Sequence, residues 1–318
     1  MKRKNLMSYG LILAGIALTV WIWSRVSGSG LEPPVNRYQV AVVVSDSTNS
    51  RWARFQAGIE KAADDYNISL NYLVTSRFES LKEEMNLITR ASAGADGLIV
   101  QMEDSSGIDD LISEISRTTV LELIGTGETF AQEEQSCAGI FADDHAIGVS
   151  LAEVILNNHE GESGLRIGIL SGNQNMDMMQ KRLEAFENTL KEHGITPVWV
   201  IPDISGSLSE SSPKVDIVVA LDNMNLEQAC LDLRNSQDTE LYGIGCSDMT
   251  IYYLDRGTIS AMIVPDDFQM GYLAVMEVFN RLQAPNIPMV SREVSFEVID
   301  RGNLYSAKHE TMLFPIIR

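Results

Sequence analysis

The residues best suited to holding a small molecule fall in short stretches beside apolar runs. Asn49-Ser50-Arg51-Trp52 follows the run 38–44. Trp52 offers an indole face on which a flat ligand could stack. It also opens a stripe with Phe55 and Ile59, so core packing is its other reading. Asn49 either reads a polar ligand or caps the helix that follows. Arg51 suits an anionic ligand, or one of the chain's many acids. Gln101 and Asp222 stand just past the apolar runs 96–100 and 215–221, as ligand contacts or as loop polarity.

Signals for catalysis and metal binding are sparse. The four histidines (145, 159, 193, 309) are scattered and show no metal-ligand spacing. Cys137, Cys230 and Cys246 form no CxxC pair and no disulfide framework. Cys246 reads as a buried free thiol or a reactive one. Asp143-Asp144 suits a helix start better than a metal. Met176, Met178 and Met179 read as core filler at helical spacing. There is no GxSxG, no phosphate-binding GxxxxGK[ST] and no kinase signature. Neither an enzyme nor a resident cofactor or metal is expected.

Charge narrows the partners. Of 318 residues, 24 are basic and 44 acidic, for a net charge of −20, and a body this acidic repels phosphate backbones, so no nucleic acid is expected. A hydrophobic content of 45% with 21% charged residues is that of a globular chain. Its length suggests two domains.

The N-terminus reads as a membrane segment. Lys2-Arg3-Lys4 precedes twenty uncharged residues, Asn5–Ser24, with Trp21 and Trp23 at the far end. At about 1.5 Å per residue this spans roughly 30 Å, the hydrocarbon thickness. The basic cluster should stay cytoplasmic and the body should lie outside. We read 1–4 as a cytoplasmic stub, 5–25 as a single-pass signal anchor and 26–37 as a linker. A cleaved signal peptide is the alternative.

The remainder alternates strand and helix. Apolar runs at 38–44, 70–74, 96–100, 120–124 and 137–141 predict strands, and 3–4-residue apolar spacing between them predicts helices. The series restarts with a helix from Ile147, strands at 165–170, 195–201, 215–221, 241–245 and 259–264, a helix over 267–283, and a strand near 290–298. Such alternation implies α/β architecture: two doubly wound parallel-sheet lobes with a ligand crevice beyond the strand ends. The link PDISGSLSESSPK between two of these strands is too rich in Pro and Ser for a helix.

From Tyr38 on, the chain resembles the type 1 periplasmic binding proteins, the fold of ribose-binding proteins and lactose-repressor-type sensor domains. The resemblance rests on VAVVVSDSTNSRW, AGIEKAADDYNI, GADGLIV, GIFADDHAIGVSLAEVIL, KRLEAFENTLKEHGI, DIVVALDNMN and LDRGTISAMIVPDDFQMGYLAV, in that order. It implies three crossings, near 140–143, 263–266 and 289–292. Lobe one would be 38–141 plus 266–290, lobe two 142–265 plus 291–300, and 301–318 a C-terminal extension. It places Asn49, Arg51, Trp52, Gln101, Gln180 and Asp222 among the ligand contacts. Where the sugar binders carry Asp-Arg and a late Asp and Gln, this chain has Ile124-Gly125, Gly245 and Pro265.

The resulting expectation is an extracytoplasmic solute-binding protein. It would capture a small polar, carbohydrate-like ligand by hinge closure and deliver it to an ABC-type permease. The alternative is a ligand-sensing ectodomain partnered with a membrane receptor or sensor kinase.

Overall fold

The computed structural model describes residues 38–314 apart from 45–50, 76–77, 79, 105–107, 126–135, 205–206, 209–211 and 237. The expected membrane segment and Asn49 therefore lie outside the described residues, as does the side chain of Arg51. Among the described residues no helix is long and apolar enough to cross a membrane.

The first lobe begins with β1 (Gln39–Val44), α1 (Arg51–Tyr66), β2 (Ser69–Val74), α2 (Leu81–Ser92), β3 (Gly97–Gln101), α3 (Asp109–Ser116), β4 (Val120–Ile124) and β5 (Cys137–Ala142). The second lobe follows with α4 (Asp144–Asn158), β6 (Ile167–Leu170), α5 (Asp177–Glu192), β7 (Trp199–Ile201), β8 (Ile217–Ala220), α6 (Asn223–Leu233), β9 (Glu240–Ile244), α7 (Asp248–Asp255) and β10 (Ile259–Pro265). The chain then returns through α8 (Asp267–Gln283) and β11 (Arg292–Val294) to lobe one, and ends in lobe two with β12 (Phe296–Asp300) and α9 (Glu310–Leu313).

Each lobe has a six-stranded sheet, ordered β11-β5-β4-β3-β1-β2 and β12-β10-β9-β8-β6-β7. The first is parallel throughout, and α1, α2 and α3 carry the crossovers that link β1, β2, β3 and β4. In the second, β12 runs antiparallel to β10, a departure from the all-parallel expectation. Strands such as β1, buried from Val40 to Val44, are apolar on both sides because helices cover both faces.

The chain passes between the two sheets after β5 and after β10. These passages are marked by Asp143 and Asp266, whose carboxylates accept the backbone N–H of Ala146 at 2.8 Å and of Gln269 at 2.9 Å. Each aspartate thereby caps the helix that starts in the new lobe. A third passage joins β11 to β12. Residues 292–294 pair with β5 in lobe one, and 296–300 pair with β10 in lobe two, so the chain changes lobes at Ser295. A one-residue link between strands carries no turn signal, which hides it in sequence.

Within residues 301–314, Leu304 and Leu313 are fully buried in the core of the second lobe. In the Pro- and Ser-rich link, Ser212 N–H donates to the Leu208 carbonyl at 3.1 Å, and the Leu208 side chain joins the same core.

Helices α1 and α8 meet at paired glycines. A Cβ on Gly58 would lie 2.0 Å from the Phe268 carbonyl oxygen, and one on Gly271 would lie 2.1 Å from that of Phe55. This close packing fixes α1, and with it the cleft wall that α1 carries.

Candidate functional site

A cleft of about 930 Å³ lies between the lobes, beyond the carboxyl ends of the strands. Lobe one contributes Trp52 and Phe55 from α1, Glu84 from α2, and Gln101 from the end of β3. Lobe two contributes Asn173 and Gln174 after β6, Arg182 from α5, and Asp222 after β8. A concavity of similar volume, about 960 Å³, lies on the outside of lobe two between α4 and α5. It is lined by that lobe alone.

Trp52 stands at the cleft wall and in an aromatic cluster. It lines the cleft and is half-buried, yet its ring also packs against Phe55 at 5.4 Å and edge-on to Tyr72 at 6.0 Å. Gln101 reaches the cleft because β3 ends there, paired with Val44 of β1.

Asp222 is held rigidly. Oδ1 accepts the Asn225 backbone N–H and Oδ2 the Asn225 side-chain amide, both at 2.8 Å. The carboxylate lies against Gly172, whose φ of +69° and missing Cβ make the room; a Cβ there would stand 2.4 Å from Oδ2. Burial raises the Asp222 pKa, opposed by the two Asn225 bonds and the charge of Arg182.

Gln180, aligned with a ligand-gripping position by resemblance, is exposed and not among the cleft-lining residues. Its amide donates to the Gln174 carbonyl at 2.6 Å. Arg182, two residues on, faces the cleft instead. It is buried, with Nε donating to Asp144 Oδ1 at 2.7 Å and Nη1 to the Leu221 carbonyl at 3.1 Å. On a helix, two residues turn a side chain by roughly 200°, which separates the two positions.

Glu84 escaped the sequence reading. Leu81, Met85 and Ile88 predict an apolar stripe, but the buried line of α2 runs through Glu84, Ile88 and Ala91. The Glu84 carboxylate accepts the Glu103 backbone N–H at 2.7 Å, which fastens the loop after β3 at the cleft wall. Burial pushes its pKa up to about 7, against the backbone hydrogen bonds from Glu103 and Asp104. A charged residue on an otherwise apolar helix stripe is the signal that would have found it. Asn173 was missed too. Its amide donates to the Glu103 carbonyl at 2.9 Å and so ties the two lobes together at the cleft.

The arrangement suits reversible binding. Polar groups converge from both lobes against an aromatic wall, and the described lining holds no histidine, lysine or cysteine. The three cysteines are free and buried, and burial pushes the Cys246 thiol up to about 12. Among the described residues no group of three or more His, Cys, Asp or Glu is placed to hold a metal.

Comparison with known proteins supports this picture. The ribose operon repressor of Haemophilus influenzae is 24% identical over 286 residues, which is 85% of this chain and 82% of the repressor. A carbohydrate transporter solute binding protein from Agrobacterium radiobacter, solved in complex with D-arabinose, superposes with a TM-score of 0.77 at 16% identity, over 88% of this chain and 99% of that one. GanP, a glucose-galactose binding protein from Geobacillus stearothermophilus, gives 0.71 at 21% identity, over 85% of this chain and 99% of its own. At these identities the structural likeness is one of fold. The family model for the periplasmic binding protein domain matches residues 40–285, and the chain belongs to that family.

Proposed function

We propose that the protein is a non-enzymatic, extracytoplasmic solute-binding protein, held at the membrane by residues 5–25, that hands its ligand to an ABC-type permease. The single observation that carries this reading is the cleft lined from both lobes across three chain crossings. A ligand there touches both lobes only when they are closed, so it favours closure by its difference in affinity for the two states. The solved proteins of like fold that are described as sugar binders support the same reading.

The ligand is small, polar and carbohydrate-like, but not a plain ribose, glucose or galactose. Ile124, Gly245 and Pro265 line the cleft where sugar binders carry hydroxyl-pairing side chains. Each buried hydroxyl left unpaired costs about 1–3 kcal/mol. A thermal-shift screen of the purified chain against sugars and modified sugars tests this. Saturation at 100 times the dissociation constant should stabilise by about 2.7 kcal/mol. Micromolar binding of any of the three plain sugars would overturn the ligand class. Turnover of a bound compound would overturn the binding role.

A further inference from the structure

Arg54, on α1 of lobe one, is 8% exposed. Its Nη1 donates to the Cys246 carbonyl at 3.1 Å and its Nη2 to the Leu313 carbonyl at 2.8 Å. Nη2 also lies 3.6 Å from Oδ1 of the fully exposed Asp248, a contact of little weight because water screens it. Its Nε has no partner. Among the described residues, every partner of this guanidinium belongs to lobe two.

Both receiving groups are backbone carbonyls. Leu313 is the last residue of α9, and carbonyls in the final turn of a helix have no partner within it. A cation also matches the negative end of a helix. Arg54 therefore caps, from lobe one, a helix that lies beyond the last strand of lobe two. That helix is anchored by Leu313, fully buried in the lobe-two core. On separation of the lobes, Arg54 loses both hydrogen bonds at once, and so do the two carbonyls.

We propose that Arg54 and the C-terminal helix α9 form an interlobe latch that biases the two lobes toward closure without any ligand. This gives the segment 301–314 a role that capture of a solute does not require of it. The latch goes beyond the solute-binding reading and stands or falls separately, because it is measured in the ligand-free protein.

The test is a distance measurement between spin labels on the full chain in detergent. The native thiols at 137, 230 and 246 are fully buried, so labels go to introduced cysteines. Glu114→Cys on α3 and Glu184→Cys on α5 place one label at an exposed site on each lobe. Arg54→Ala should move the distribution toward longer distances, with the open-to-closed ratio rising roughly tenfold, as expected for loss of a charge-assisted hydrogen bond. Arg54→Lys, which keeps the charge but loses the fork, should move it less. A chain ending at Met312 should behave like Arg54→Ala, and combining the two should add nothing. An unchanged distribution in a folded Arg54→Ala protein, or additive effects in the combination, would overturn the latch. If Arg54→Ala does not fold, an unchanged distribution in both Arg54→Lys and the shortened chain overturns it equally.

Discussion

Arg182 and Asp144 form a buried ion pair at 2.7 Å, each side chain only 4% exposed. The pair joins the cleft-facing side of α5 to the first residue of α4, one position past the first crossing. It therefore couples the cleft floor to the hinge. Arg182→Met should destabilise the protein by about 3–5 kcal/mol, because it leaves a buried carboxylate without its cation. Pairing it with Asp144→Leu should recover much of that loss. Denaturant unfolding of the single and double variants checks both statements, and equal losses in the two would contradict the pairing argument.

Glu122 predicts a pH dependence. It sits in the middle of β4, fully buried between Ile99 and Ala138, and neither carboxylate oxygen has a hydrogen-bond partner. Burial raises its pKa well above the usual value, Glu277 on α8 adds to the rise, and Arg292 on β11 opposes it. A carboxyl whose pKa is raised by folding stabilises the native state in its protonated form. That contribution is full below the unfolded pKa and is lost as pH rises toward the folded one. Wild type should thus lose stability above about pH 4.5 by up to about 1.4 kcal/mol per pH unit from this group. Glu122→Leu should flatten the profile and gain most at the alkaline end. Melting curves from pH 5 to 9 decide the matter, and parallel profiles would refute the assignment.

Once the thermal-shift screen has supplied a ligand, Trp52 and Asp222 should differ in how they fail. Trp52→Ala removes a wall of lobe one and should weaken binding with little change in lobe-two stability. Asp222→Ala removes the cap of α6, costing about 0.5–2 kcal/mol of stability, and it also removes a lobe-two contact needed for closure. Calorimetry together with scattering separates them. Trp52→Ala should still contract at saturating ligand, whereas Asp222→Ala should contract less. No contraction in wild type would remove hinge closure from the account.

The N-terminal segment should stay attached. Sequencing the mature N-terminus from membranes of the native host is expected to return the unprocessed start. A mature start near Ser27–Ser29 would instead make this a secreted protein.

Much of the architecture was legible along the chain because burial on both faces leaves a local mark. Runs such as Val40–Val44 and Ile217–Ala220, and stripes such as Ile147-Leu151-Ile155, announce strand and helix without reference to anything distant. The crossings near Asp143 and Asp266 were implied by the family resemblance, and only the helix caps there are local devices. Of the residues read along the chain, Gln101 and Asp222 reach the cleft at strand ends and Trp52 at the start of α1. Other decisions belonged to tertiary structure. Whether Gln180 or Arg182 faces the cleft depends on how α5 is rotated by packing against α4, where Gly148 lies against Ala185 and the Arg182 backbone. That Ser295 is a crossing depends on which sheet accepts each flanking strand, a choice made by edges far away in sequence. Glu122 and Arg54 read locally as ordinary surface charges, and Glu84 as a charge on an apolar helix stripe. Their burial follows from partners 19 to 259 residues away, as in the bonds of Glu84 to Glu103 and of Arg54 to Leu313, and no window of sequence contains both ends of the longer of these.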